Sequence, residues 1–554
     1  MTERDERAAR DIATRYWDTF LELQPLVGTY VGDERFDDRL PDPSDEGLAR
    51  EEAFHRAALA DLAGVDRSAL PEDLRTAADL IEFGSTRALS DLGHRIDRLQ
   101  VAGHLFGPAG LLVDLASLQR ADSPERLDRY LARLAAMPAY YRAVGQVARD
   151  GVAAGQTSPG LVVDRTIGQL ERLLALGPGD SPGMLPVAGA PAADRERVVA
   201  VLTDAVWPAY QGFLDVLREY RPHATETLGV SSLPDGEAVY ASQILAYTTL
   251  PLEAKRVHDI GLEGFAGIQD ERREIARSLG FATAEEAIAD LAANGGNVAG
   301  SRQEMLRMVE DQVRRSMEAA PRMFGRLPRS NCEVRPVEEF REDDMPGAFY
   351  QGPSADGTRA GVYYLNTSHL PARPLHQVAT TTYHEANPGH HFQISIEMEH
   401  TERLPLRRFG GDLAGDAFTE GWGLYSERVA DELGLFLSEY ERLGMLEAQG
   451  QRACRLIVDT GIHALGWDRE RAVRQMQEAG LSRVDSEIEV DRYVSWPGQA
   501  LSYMIGQLEI QRWRREAASK RGKAFDVKAF HDRLLSLGSL PLAVLERELA
   551  AEAG

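Results

Sequence analysis

Thr381-Thr382-Tyr383-His384-Glu385-Ala386-Asn387-Pro388-Gly389-His390-His391 is the segment from which the rest of the chain can be read. A His-Glu pair on a helix, followed by another histidine, suggests a zinc site. Two imidazoles would hold the metal, and the glutamate would activate water. The usual spacing, HExxH, puts the histidines four apart, about 40° around a helix and about 6 Å along it. Here the fourth position is Pro388, and the histidines follow at six and seven. In an unbroken helix His390 would point about 120° away from His384, and His391 would lie about 10 Å further along the axis. Pro388 cannot donate to the His384 carbonyl and would clash with it. Gly389 allows an unusual backbone. A kink or bulge that absorbs two residues is therefore expected, returning His390 to the metal beside His384, with His391 as the alternative ligand.

A third ligand should come from another helix. Asp416-Ala417-Phe418-Thr419-Glu420-Gly421-Trp422-Gly423-Leu424-Tyr425-Ser426-Glu427 supplies Glu420, which would complete a His₂Glu set. Asp416 lies one turn before Glu420 on the same face and is the expected acceptor for a ligand histidine. Further on, Arg452, Arg455, Asp459 and His463 form a polar stripe on an otherwise apolar helix, readable also as a buried ion-pair network. Then come Arg492-Tyr493 and Trp496-Pro497-Gly498-Gln499-Ala500-Leu501-Ser502-Tyr503. A peptidase needs donors for its tetrahedral oxyanion, and Tyr503 and His463 are the side chains expected to supply them. Arg492 is the candidate cation for a terminal carboxylate. Trp422 and Trp496 read as packing residues. His55, His94, His104, His258 and His531 have no partners at ligand spacing and read as structural or surface residues.

Upstream of the motif, residues 333–366 are the one stretch with a strand signature. Short aromatic and β-branched runs are split by Gly352-Pro353 and Asp356-Gly357, which signals a hairpin. Elsewhere helical periodicity dominates, over residues 4–23, 44–63, 71–91, 124–150, 192–220, 251–279 and 301–320. Ser44 and Ser123 suit N-caps, and Pro124 suits the first helical position. The fold class is thus mainly α, with a small β-hairpin or sheet at the active site. A soft boundary near 225–250 divides an N-terminal helical lobe, 1–240, from a C-terminal catalytic lobe, 241–554.

Composition narrows the partners. A formal charge of −25 over 554 residues argues against nucleic acid, which favours a basic patch. The two cysteines, Cys332 and Cys454, are far apart, which argues against a disulfide framework and against a thiolate zinc site. The charged first residues lead into an amphipathic helix, with no apolar signal segment and no membrane span of about 18 apolar residues. A cytoplasmic protein is the expectation. A homo-oligomer is compatible with this sequence.

At His384 to His390, Glu420 to Tyr425 and Arg492 to Tyr503, the chain resembles the bacterial family DUF885. The family pattern runs His-Glu-x-x-Pro-Gly-His, Glu-Gly-Trp-x-x-Tyr, then Arg-Tyr…Pro-Gly-Gln-Ala-Leu-Ser-Tyr. The resemblance covers nearly the whole chain and implies a zinc metallopeptidase of the gluzincin kind, of carboxypeptidase or oligopeptidase type. It also implies a large helical zincin-like fold with a deep cleft, like angiotensin-converting enzyme. In that setting the hairpin at 346–366 would edge the cleft. A peptide could then pair with its outer strand, near Tyr350, Tyr364 and Asn366, with Arg492 and Tyr493 as further substrate contacts.

The expected function is a Zn-dependent hydrolase that cleaves short peptides, with Glu385 as general base. Two rivals share the same residues. One is a metal-dependent hydrolase or lyase acting on a small amide metabolite, which would leave a peptide library uncut despite a filled site. The other is a non-catalytic helical interaction protein, which would purify without stoichiometric metal.

Overall fold

A computed structural model of the chain describes residues 2–103, 107–337, 342, 347–353 and 360–551. His104 and the expected turn at Asp356-Gly357 lie outside the described residues. The chain divides into two compact units, with the first break at Ser242/Gln243. Two later segments, Ile462–Arg469 and Ile488–Pro497, belong to the first unit and not to the second.

The first unit is helical. Ser44 accepts the Gly47 N–H and starts the helix Asp45–Ala63. Ser123 accepts the Arg126 N–H, with Pro124 at the first position of Pro124–Ala154. The stretch 192–220 is not one continuous helix. A π-turn at Leu202–Val206 separates Ala192–Val201 from Trp207–Tyr220. Its physical reason is Pro208, which has no N–H for the carbonyl one turn earlier. Arg133, fully buried, is neutralised by contacts and not by exposure. It donates to the carbonyls of Arg39 and Phe36 and to Thr29 and Gln119, with Asp37 at 3.5 Å.

In the second unit we label the elements used below. The strands are β1 (Cys332–Pro336), β2 (Ala348–Gln351) and β3 (Gly361–Leu365). The helices are α1 (Arg302–Ala319), α2 (Leu375–Glu385), α3 (His390–Met398), α4 (Ala417–Glu432), α5 (Glu439–His463) and α6 (Ser502–Arg521). The last two residues of α5 fall in the first unit.

The sheet has the order β1-β3-β2. β2 and β3 are antiparallel, Tyr350 opposite Tyr363, which matches the hairpin reading. β1 runs parallel to β3, so the first of the three runs is not a hairpin partner. The sheet's buried face holds Tyr363 and Leu365 against Val309 and Val313 of α1 and Val378 of α2. That apolar layer fixes the end of α2, and therefore His384, relative to the strands.

Candidate metal centre

The motif does not form one bulged helix. α2 ends at Glu385, and α3 begins at His390. The four residues between them include a cis Asn387–Pro388 bond. Gly389 is required by close approach, because a Cβ there would collide with the His384 carbonyl. Trp422 of α4 donates its indole N–H to the Pro388 carbonyl at 2.9 Å and so holds the junction from outside. Across this helix break the imidazoles of His384 and His390 meet edge to face, ring centroids 4.7 Å apart.

Glu420 faces both. Its Oε2 lies 3.6 Å from His384 Nε2 and 3.4 Å from His390 Nε2. One ligand atom from each of the three residues falls within 4.8 Å of the others. The Glu420 side chain keeps 21% of its surface, yet Oε2 is buried and makes no well-formed hydrogen bond. Burial alone would raise the carboxyl of Glu420, but the two imidazoles outweigh it and hold the group well below the ordinary carboxylate range. Burial likewise opposes a charged His384, and the carboxylates of Glu420 and Glu427 outweigh it, raising that imidazole to about 9. Among the described residues, Glu420 Oε2, the oxygen that faces both imidazoles, has no well-formed hydrogen-bond partner.

Space is kept for them. A Cβ on Gly423 would lie 2.8 Å from Cε1 and Nε2 of His384 and 3.0 Å from Cε1 of His390. α4 in turn sits tight against α6, since a Cβ on Gly421 would lie 2.5 Å from Gly506 Cα. A His₂Glu donor set, an orphaned buried oxygen and a glycine cradle fit zinc with an open coordination position.

The carboxylate that orients the candidate ligand His384 is Glu427, not the Asp416 expected for that place. Glu427 Oε1 accepts from His384 Nδ1 at 2.9 Å, a bond that in the neutral ring keeps the proton on Nδ1 and the lone pair on Nε2. Gln449 donates to Glu427 Oε2 at 3.0 Å, and Gln507 donates to Gln449. Asp416 instead accepts from Gln499 at 3.0 Å. A signal for Glu427 was present: seven residues beyond Glu420 it returns to within about 20° of the same helix face. His390 Nδ1 meets no acceptor among the described residues.

His391 is not the second ligand of this cluster. Its Nε2 donates to the Ser330 carbonyl at 3.1 Å, and its Nδ1 accepts from the Tyr350 hydroxyl at 3.0 Å. Burial pushes its imidazole down to about 4. This bond ties β2 to the first turn of α3. Tyr364 stacks on Phe349, and Asn366 is buried, donating to the Glu342 carbonyl and accepting from Ser368. Tyr503 is 8% exposed, its ring stacked 6.5 Å from that of His384. Glu385, half-buried, closes α2 beside His384.

His463, Arg492 and Tyr493 belong to the first unit. His463 accepts the Val230 N–H and donates to the Tyr493 carbonyl, so both ring nitrogens are used and neither is left for an oxyanion. Arg492 lies 3.7 Å from Glu489, and the Tyr493 hydroxyl donates to the same carboxylate. His55 and His531 are buried structural residues, bonded to Ser85 and to the Met323 carbonyl.

Solved structures share this fold. One, described as "the putative lipoprotein from Colwellia psychrerythraea", is 26% identical with a TM-score of 0.91 over 99% of each chain. Another, from Shewanella oneidensis and described as a lipoprotein of the same standing and of unknown function, is 22% identical with a TM-score of 0.76. It covers 98% of this chain and 99% of its own. No curated protein matches. Among the described residues no helix is long and apolar enough to cross a membrane. The family described as "Bacterial protein of unknown function (DUF885)" matches residues 25–549, and the chain belongs to it.

Proposed function

We propose that this chain is a zinc-dependent hydrolase, a peptidase for short peptides, with a zincin-like centre at the floor of a substrate cleft. The observation that carries the reading is the convergence of His384 Nε2, His390 Nε2 and a buried, otherwise unsatisfied Glu420 Oε2. Zinc held by these atoms would supply a Lewis acid that makes water nucleophilic near neutral pH. Glu385 would serve as the base, its carboxylate accepting a proton from the attacking water and passing it to the leaving amine. Glu427 holds the His384 tautomer throughout. Tyr503, whose ring packs near His384, is the donor for the oxyanion, and His463 is withdrawn from that role.

The outer edge of β2 is the proposed rail for an extended peptide, adding a strand next to the centre. Its place there is supported by the Tyr350–His391 bond, one residue from a ligand. Both cysteines are free, which suits a reducing compartment, and we propose the cytoplasm. Recovery of the native protein in the membrane fraction would overturn that location.

Glu385→Gln tests the mechanism. The variant should retain about one zinc per chain while turnover falls by about 10² to 10⁴. Wild-type rates in a zinc-loaded Glu385→Gln enzyme would remove Glu385 from the chemistry.

A further inference from the structure

We propose that Arg452 and Arg455 form an anion pocket beside the metal ligands, so that the substrates are short peptides or N-acyl amino acids with a free carboxylate near the scissile amide. The inference rests on the hydrolase reading above and adds the charge of the substrate to it.

Position is the first support. The two arginines stand three apart on α5 and share a face. Arg455 Cζ lies 4.5 Å from the centroid of the Tyr503 ring, and Arg452 Cζ lies 5.9 Å from it. The same ring stacks 6.5 Å from that of His384. Tyr503 is therefore the common wall between a metal ligand and two cations. The Arg452 guanidinium lies no farther from the His384 ring than the last two distances together. An extended residue spans about 3.5 Å, so a carboxylate held there belongs within about three residues of the bond cleaved.

Charge is the second support. The chain is strongly acidic, and neighbouring arginines of this unit pair with carboxylates: Arg428 with Glu271, Arg442 with Asp431, Arg272 with Glu447. Arg452 does not. Its guanidinium reaches the Ala448 carbonyl at 3.5 Å and the Gln451 side-chain oxygen at 3.0 Å, both neutral, and its Nε is buried without an acceptor. A guanidinium that meets only neutral oxygens among the described residues, next to the candidate centre, points to an anion that arrives from outside. A carboxylate matches the planar fork of a guanidinium in both charge and shape.

The test uses the zinc-loaded full chain with acetylated di- and tripeptides, each prepared as the free acid and as the C-terminal carboxamide. Binding is read calorimetrically on Glu385→Gln protein, and cleavage on the unmutated chain. Acids should bind and be cleaved at least about tenfold better than amides. Adding Arg452→Gln should bring the acids down to the amides, while Arg452→Lys should fall between. The acid-to-amide ratio of the unmutated chain needs no variant, so the test does not depend on how Arg452→Gln folds. Equal affinity for acid and amide, undetectable affinity included, overturns the pocket. Acid-selective binding without cleavage supports the pocket and overturns the hydrolase. A variant that lowers acids and amides alike shows the arginines acting through Tyr503, and also refutes the pocket.

Discussion

Gly423→Ala would separate the proposed metal site from the fold that carries it. The added methyl would stand 2.8 Å from two atoms of the His384 ring and 3.0 Å from His390, where ordinary contact begins near 3.4 Å. His384 cannot swing freely, because Glu427 holds its Nδ1 at 2.9 Å. The two rings must therefore part by several tenths of an ångström. Zinc tolerates only about ±0.2 Å around a Zn–N distance of about 2.0 Å, so affinity should fall by about a hundredfold. The fold should barely notice. Gly423 lies inside α4, where alanine is favoured over glycine by about 1 kcal/mol, which offsets part of the overlap. The two effects separate in a melt with and without zinc. At a free zinc concentration of about 1,000 times the wild-type Kd, binding stabilises the parent by about 4 kcal/mol. A hundredfold weaker site gains only about 1.4 kcal/mol at the same concentration. The assay is thermal denaturation of both proteins, metal-free and zinc-buffered, with Kd from chelator competition. A variant with parental zinc affinity would refute the claim that Gly423 makes the room the ligands need.

Glu427→Ala should weaken zinc about 10- to 100-fold by chelator competition, with Glu427→Gln less affected because it can still accept from Nδ1. Gly506→Ala should lower the metal-free melting temperature, since a Cβ there meets the Ala417 carbonyl and forces α4 and α6 apart; an unchanged midpoint would show that the helices slide without cost. Acid should destabilise the protein through its buried histidines. Burial holds His55, His463 and His531 down at about 4, below the unfolded value of 6.5, so the stability they carry is complete above pH 6.5 and is lost as pH falls towards 4. Each contributes up to about 3 kcal/mol at about 1.36 kcal/mol per pH unit. Urea midpoints at pH 7.5 and pH 5 should differ clearly, and His55→Gln should narrow the gap.

What could be read from the chain follows the range of the interaction concerned. Helix starts are local, and Ser44, Ser123 and Pro124 cap where their chemistry says. The π-turn before Pro208 is local too, but apolar periodicity ran through it and hid it. The parallel pairing of β1 with β3 is non-local, and nothing in the strand residues distinguishes it from a meander. The same division runs through the site. Glu420 carries its own signal, an acid on a helix face beside Gly-Trp-Gly. Which acid steadies His384 depends on how α4 lies against α2, and helix crossing cannot be read from either helix alone. His463 looked catalytic because a buried polar stripe is ambiguous, and only its backbone partners decide it.

The spacing of the two histidines now has a structural account. In HExxH one helical turn sets the distance between ligands, and the helix itself is the template. Here His384 closes one helix and His390 opens the next, so their distance is set by the junction. That junction is over-determined from outside: Gly389 removes a collision with the His384 carbonyl, Trp422 grips Pro388, and Gly423 clears the imidazoles. Two of those three residues stand on α4, directly after Glu420 in the same turn. The helix that carries the proposed third ligand therefore also shapes the proposed other two. This explains why His-Glu-x-x-Pro-Gly-His and Glu-Gly-Trp-Gly form one device although about thirty residues separate them. A change in α4 that leaves Glu420 untouched should still reach the metal, whereas an HExxH helix would be largely indifferent to it.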